Sequence, residues 1–172
     1  MKTFEHYKPT DALPHQQLLE KFSAPQEDYG DFYFVRDGNF LLVYGEEIPP
    51  KLGDDHSQNE AVIGIQVEVP LKSIRWFIEV IAEKFLKSPK DGGLPKHIIN
   101  YRDEVAGEKL HITRTMYAAG ERPGYELTNV SRPSHTSPFL KQTVAFSDDW
   151  LFDGGLMEFL EDIADRYEQG RL

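Results

Sequence analysis

Two apolar runs, Phe32-Tyr33-Phe34-Val35 and Phe40-Leu41-Leu42-Val43-Tyr44, flank the polar stretch Arg36-Asp37-Gly38-Asn39. Asp-Gly supplies the positive φ angles of a tight turn, so residues 32–44 are predicted to form a β-hairpin. Ala61 to Val69 alternates: Ala61, Ile63, Ile65, Val67 and Val69 share one face, Gln66 and Glu68 the other, as in a half-buried strand. Two runs around Ala106-Gly107-Glu108 predict a second hairpin over residues 97–118, and Tyr125–Val130 and Leu140–Phe146 read as further strands. Between the last two lies a breaker-rich stretch, Ser131 to Pro138, expected to be a loop that carries Arg132 and His135.

Helical spacing appears in three places. Leu18, Leu19 and Phe22 suggest a short N-terminal helix over residues 13–22, closed by Pro25. Pro70 can open a helix at no hydrogen-bond cost, and the apolar period runs from 71 to 87, before Pro89 and Gly92-Gly93. A last helix is predicted over 155–169. Consecutive hairpins with few helices make an α+β domain of about six or seven strands, mostly antiparallel, with one possible parallel crossover around 61–105. No internal repeat is visible in the sequence, and 172 residues fit one domain spanning 1–172.

The two long helices differ in their outer faces. With Ile74 at 0° and 100° per residue, Phe77, Ile78, Ile81 and Phe85 fall within about 60° of it, whereas Trp76 and Val80 lie near 200° and 240°. Trp76 is therefore expected to be at least about one-third exposed and to offer a partner surface, including a self-association face, because Trp is enriched at interface hot spots. On the last helix, Leu156, Phe159, Leu160, Ile163 and Tyr167 share the core face, opposite Glu158, Glu161, Asp162, Asp165 and Glu168. Like charges three or four apart cost about 0.2–0.5 kcal/mol each. Replacing Glu161, Asp165 and Glu168 by Lys is thus expected to hold or slightly raise stability.

Charge sharpens this reading. Between Asp148 and Glu168 there are eight acidic residues and one basic residue, Arg166, which places −7 of the formal net charge of −10 on one segment. Such a concentration of field points to a basic partner. A pI near 5.0 argues against nucleic-acid binding and against docking on anionic lipid. No apolar run approaches the roughly 20 residues of a membrane helix. The absence of cysteine removes thiol chemistry and disulfides and is consistent with a cytoplasmic protein.

Candidate chemistry is sparse. Asp54-Asp55-His56 and Glu60 sit in a breaker-rich loop over 45–60 but match no metal-binding spacing, so neither a metal nor a cofactor is expected. Arg114 interrupts the apolar face of Leu110, Ile112 and Met116. Asp103 is its expected partner, and with His111 the three form an alternative ligand or substrate site. No linear catalytic signature is present, and no catalytic residue is assigned. The expected function is a non-enzymatic interaction protein presenting its acidic C-terminal helix to a basic protein partner. Its most concrete form is an immunity or inhibitor protein that fills the cationic groove of a nuclease. The alternative is a small enzyme or binding protein built on Asp103, His111 and Arg114.

Overall fold

A computed structural model describes residues 2–24, 29–47, 63–119 and 122–172. The class is α+β, as expected, but the strands form two sheets and not one. β1 (Gln16–Ser23), β2 (Tyr29–Asp37), β3 (Phe40–Glu47) and β4 (Ile63–Pro70) make the first, sheet A. β5 (Asn100–Val105), β6 (Glu108–Ala119), β7 (Arg122–Pro133) and β8 (Lys141–Ser147) make the second, sheet B. Each sheet is a meander in sequence order, and the described pairings are all antiparallel. The expected parallel crossover is therefore not formed, because β4 and β5 belong to different sheets. The Asp54-Asp55-His56 and Glu60 cluster lies outside the described residues.

Both predicted hairpins are present. In the first, Asp37 pairs with Phe40, leaving a two-residue turn with Gly38 at φ 62°. In the second, Ala106 (φ 51°) and Gly107 (φ 81°) both adopt the left-handed conformation that matches the twist of the flanking strands.

The expected N-terminal helix is instead β1. Leu18 pairs with Val35 and Glu20 with Phe34, so Leu19 is the extra residue of a β-bulge. The bulge adds one to the strand's period of two. Leu19 and Phe22, three apart, can then both pack on the core while Leu18 stays half exposed. A strand with a bulge thus reproduced helical spacing.

α1 (Lys72–Val80) continues as a wider π-helical turn, Ile81–Leu86, and α2 (Leu156–Glu168) follows a second such turn, Asp149–Asp153. Each half of the chain is thus four meandering strands followed by a helix, an internal repeat of architecture that the sequence does not display. The helices cross over. Phe77 and Phe85, from α1 and its extension, stack edge-on against Phe146 of β8 and Tyr125 of β7. Phe159 of α2 stacks against Phe22 of β1 and Phe34 of β2. Each helix therefore covers strands of the other half, and a single apolar core contains residues of both sheets and both helices. Val80, on the outer side of the ideal wheel, is buried in that core.

A second, smaller core lies on the opposite face of sheet A. There the segment 2–8, which is not a strand, lays Phe4 and Tyr7 over Val35, Leu42 and Tyr44.

Candidate functional site

α1 and α2 lie side by side. Between them and the β5–β6 turn runs a groove of about 450 Å³, lined by Leu71, Trp76, Glu79, Glu104, Tyr167 and Glu168, among others. The two surfaces singled out in the sequence, Trp76 and the acidic side of the last helix, therefore meet. Glu158, Glu161, Asp162, Asp165 and Glu168 are all solvent-exposed.

The surroundings change the reading of both. Trp76 is half-buried against the core, and its indole N–H donates to Asp103 Oδ2 (3.2 Å). The same carboxylate accepts the Glu104 N–H through Oδ1 (2.8 Å), which occupies one outward-facing donor of the edge strand β5. The covering element for the outer side of α1 is thus β5. On α2, Arg75 of α1 bonds Asp165, and its Nε donates to Glu168 Oε1 at 3.0 Å. Asp162 accepts from Arg166 one turn along. These carboxylates have partners within the chain, so the relief of repulsion expected from Lys at 165 and 168 is offset by the loss of Arg75. The expected result for Asp165→Lys with Glu168→Lys is a loss, measured by urea unfolding, smaller than about 1 kcal/mol because the groups are exposed. A larger loss would mean that Arg75 organises the helix pair.

The alternative site does not assemble. Arg114 forms a forked pair with Asp148, not Asp103, with Nη2 donating to Oδ2 at 2.6 Å, and its guanidinium lies over the Tyr125 ring at 4.7 Å. The reason is register. Asp103 pairs with Leu110, so along β6 it lies four residues, about 13 Å, from Arg114. His111 pairs with Arg102 and projects from the other face of the sheet. There, burial and the Arg102 charge hold its imidazole below the ordinary range. Among the described residues no cluster of acidic, histidine or cysteine side chains is placed to hold a metal ion. No described helix is long and apolar enough to cross a membrane.

The most densely connected polar site went unread in the sequence. Arg132, expected in a loop, lies within β7 and is buried, with its side chain 4% exposed. Its Nη2 and Nε donate to Glu108 at 2.6 and 3.2 Å, and its Nη1 donates to Glu68 at 3.1 Å. His135 Nε2 bonds the same Glu68 carboxylate. Burial alone would raise the Glu68 carboxyl, but hydrogen bonds with His135, Gln142 and Gln66 hold it below its ordinary value.

The backbone of Glu68 is held as well: its N–H donates to Gln142 Oε1 (3.0 Å) and its carbonyl accepts Asn129 Nδ2 (2.7 Å). β4 and β8 are the facing edges of the two sheets, and amide side chains of sheet B satisfy the β4 edge where another strand would otherwise pair. Glu68 was legible as the polar side of an alternating strand. What hides its burial is the meeting of two sheet edges, which depends on residues 61 to 74 positions away.

No family model matches the chain, and no characterised protein matches it in sequence. Among solved structures, that of Trypanosoma brucei MRP1/MRP2 is similar to 87% of this chain and 93% of that one, at 18% identity and a TM-score of 0.42, a likeness too loose to carry any argument.

Proposed function

We propose that this chain is a non-enzymatic interaction protein that receives a basic segment of another protein along α2 and the adjoining α1–α2 groove. An immunity or inhibitor protein of a cation-grooved enzyme is one form such a protein takes. The reading rests on one juxtaposition: Trp76, Tyr167 and the acidic residues Glu79, Glu104 and Glu168 line the same groove. Aromatic walls offer contact area, and Glu79 and Glu104, which form no ion pair among the described residues, steer a cationic partner towards them. On α2, Arg75 fixes Asp165 and Glu168 in place, so the acids of that helix left for a partner are chiefly Glu158 and Glu161, which form no ion pair among the described residues. Arg75 reduces the field at Asp165 and Glu168, and Glu158 and Glu161 extend the acidic surface along α2 beyond the groove.

The test compares immobilised wild-type protein with the Glu158→Lys/Glu161→Lys variant, each exposed to host extract at about 50 and about 500 mM salt. A basic protein held by the wild type at low salt, released at high salt and not held by the variant is the expected result. Identical captures by the two proteins would return the acidic face to a solvating role.

A further inference from the structure

We propose that the segment 2–8 is an acid-releasable cover on the outer face of sheet A, latched by Gln66 and Arg132 and released when His6 takes up a proton. This inference is independent of the α1–α2 groove. The segment forms no ladder with a neighbouring strand; side chains take the place of one. Gln66 Oε1 accepts the Tyr7 N–H (2.7 Å), and Gln66 Nε2 donates to the Glu5 carbonyl (3.1 Å), so one amide side chain grips the backbone on both sides of His6. Arg132 Nη1 donates to the Lys2 carbonyl at 2.7 Å, and Lys2 reaches Asp37 at the β2–β3 turn. Beneath these latches Phe4 packs on Phe40 (4.9 Å between ring centres) and Tyr7 on Tyr44 (5.7 Å).

His6 is the weak point of this arrangement. Its ring lies 5.3 Å from that of Tyr44 and 5.2 Å from that of His135, and its Nε2 is buried with no hydrogen-bond partner among the described residues. A neutral imidazole tolerates this by leaving an acceptor unused. A protonated one would place a charged N–H where no acceptor stands, at the desolvation cost of a buried unpaired donor. The groups facing it are Lys8 on its own segment, Tyr44 from β3, the Gly64 backbone and Glu68 from β4, both of which favour the charged ring, and His135 from the β7–β8 turn. Glu68 would attract the new charge, but it is already engaged by Arg132 and His135. Burial first and His135 second hold His6 below its ordinary value of 6.5.

The covered state therefore favours the neutral ring. Its stability is complete above the unfolded value near 6.5 and is lost as pH falls through the lowered, folded value. Release exposes Val35, Leu42 and Tyr44, an apolar patch absent at neutral pH.

Amide exchange at the Tyr7 N–H, expressed as a protection factor at about pH 7.5 and about pH 5, reads the latch directly. In the wild type the protection is expected to fall by up to roughly tenfold per pH unit between the ordinary His6 value of 6.5 and its lowered folded value, and to level off below that, while amides of β2 and β3 keep theirs. His6→Asn, or His6→Phe where a ring is needed for folding, should remove the pH dependence. Gln66→Ala should lower the protection at both pH values. The proposal is overturned by protection that does not change with pH in the wild type, or by the same dependence in both His6 variants. Parallel loss at β2 and β3, which would be general acid unfolding, overturns it too, as does an unaltered Tyr7 amide in Gln66→Ala.

Discussion

Replacing Arg132 by Ala should lower the free energy of unfolding by about 3–5 kcal/mol, the largest loss expected from any single polar change in this chain. The reason is what would be left behind. Arg132 is flanked by Glu68 and Glu108, with side chains 2% and 6% exposed, and its removal takes the guanidinium from both, leaving Glu108 with Asn129 and Glu68 with His135 and Gln66. The same logic gives the control. Arg132→Met combined with Glu68→Gln and Glu108→Gln removes the charges together and should cost far less than the single change, since a buried ion cluster only roughly offsets its own desolvation. Urea unfolding of both proteins decides the matter. Equal losses would mean that packing of the Arg132 stem against Phe4 and Phe40 outweighs charge; its guanidinium lies 5.0 Å from each ring. The cluster also carries a pH signature. Glu68 titrates below its ordinary 4.5, so its contribution is complete above that value and declines as pH falls further.

Ile163→Ala and Ile81→Ala should each cost about 2–5 kcal/mol by the same measurement. Ile163 is 0% exposed at the centre of α2, and Ile81 is 1% exposed at the start of the widened turn after α1. Both face the shared core, so the lost side chain leaves a cavity between elements of both halves, with little freedom to collapse. Changes near zero would show that the two helices float on the sheets without being packed into them.

The sequence is most legible where structure is local. The hairpins at Gly38 and Ala106-Gly107, the alternating strand β4 and the apolar faces of both helices all follow from residues within a few positions of one another. It misleads where a local irregularity alters the period. Leu19, the bulge residue of β1, makes a strand look helical, and the π-helical turn after Val80 ends the ideal wheel. Distant register is invisible in both candidate sites. Nothing near Arg114 in the sequence indicates that β8 delivers Asp148 to it, or that the β5–β6 pairing holds Asp103 about 13 Å away. Arg132 was hidden by Pro133, read as a loop marker although it ends a long strand. The Trp76–α2 groove, by contrast, was half visible: each wall could be seen in the sequence, but not that the walls face each other.

The exchange of helices between halves decides what counts as a separable piece of this molecule. A fragment ending near Leu86 would keep β1–β4 but lose Phe159, which seals Phe22 and Phe34; the complementary fragment would lose Phe77 and Phe85, which seal Phe146 and Tyr125. Each fragment would hold a sheet whose apolar face is only partly covered and a helix that has lost its aromatic partners in the other half. Joined, the two satisfy one another, so the chain has the form of a mutually exchanged pair carried on a single polypeptide, and the link from Lys87 to Ile99 need only keep the partners together.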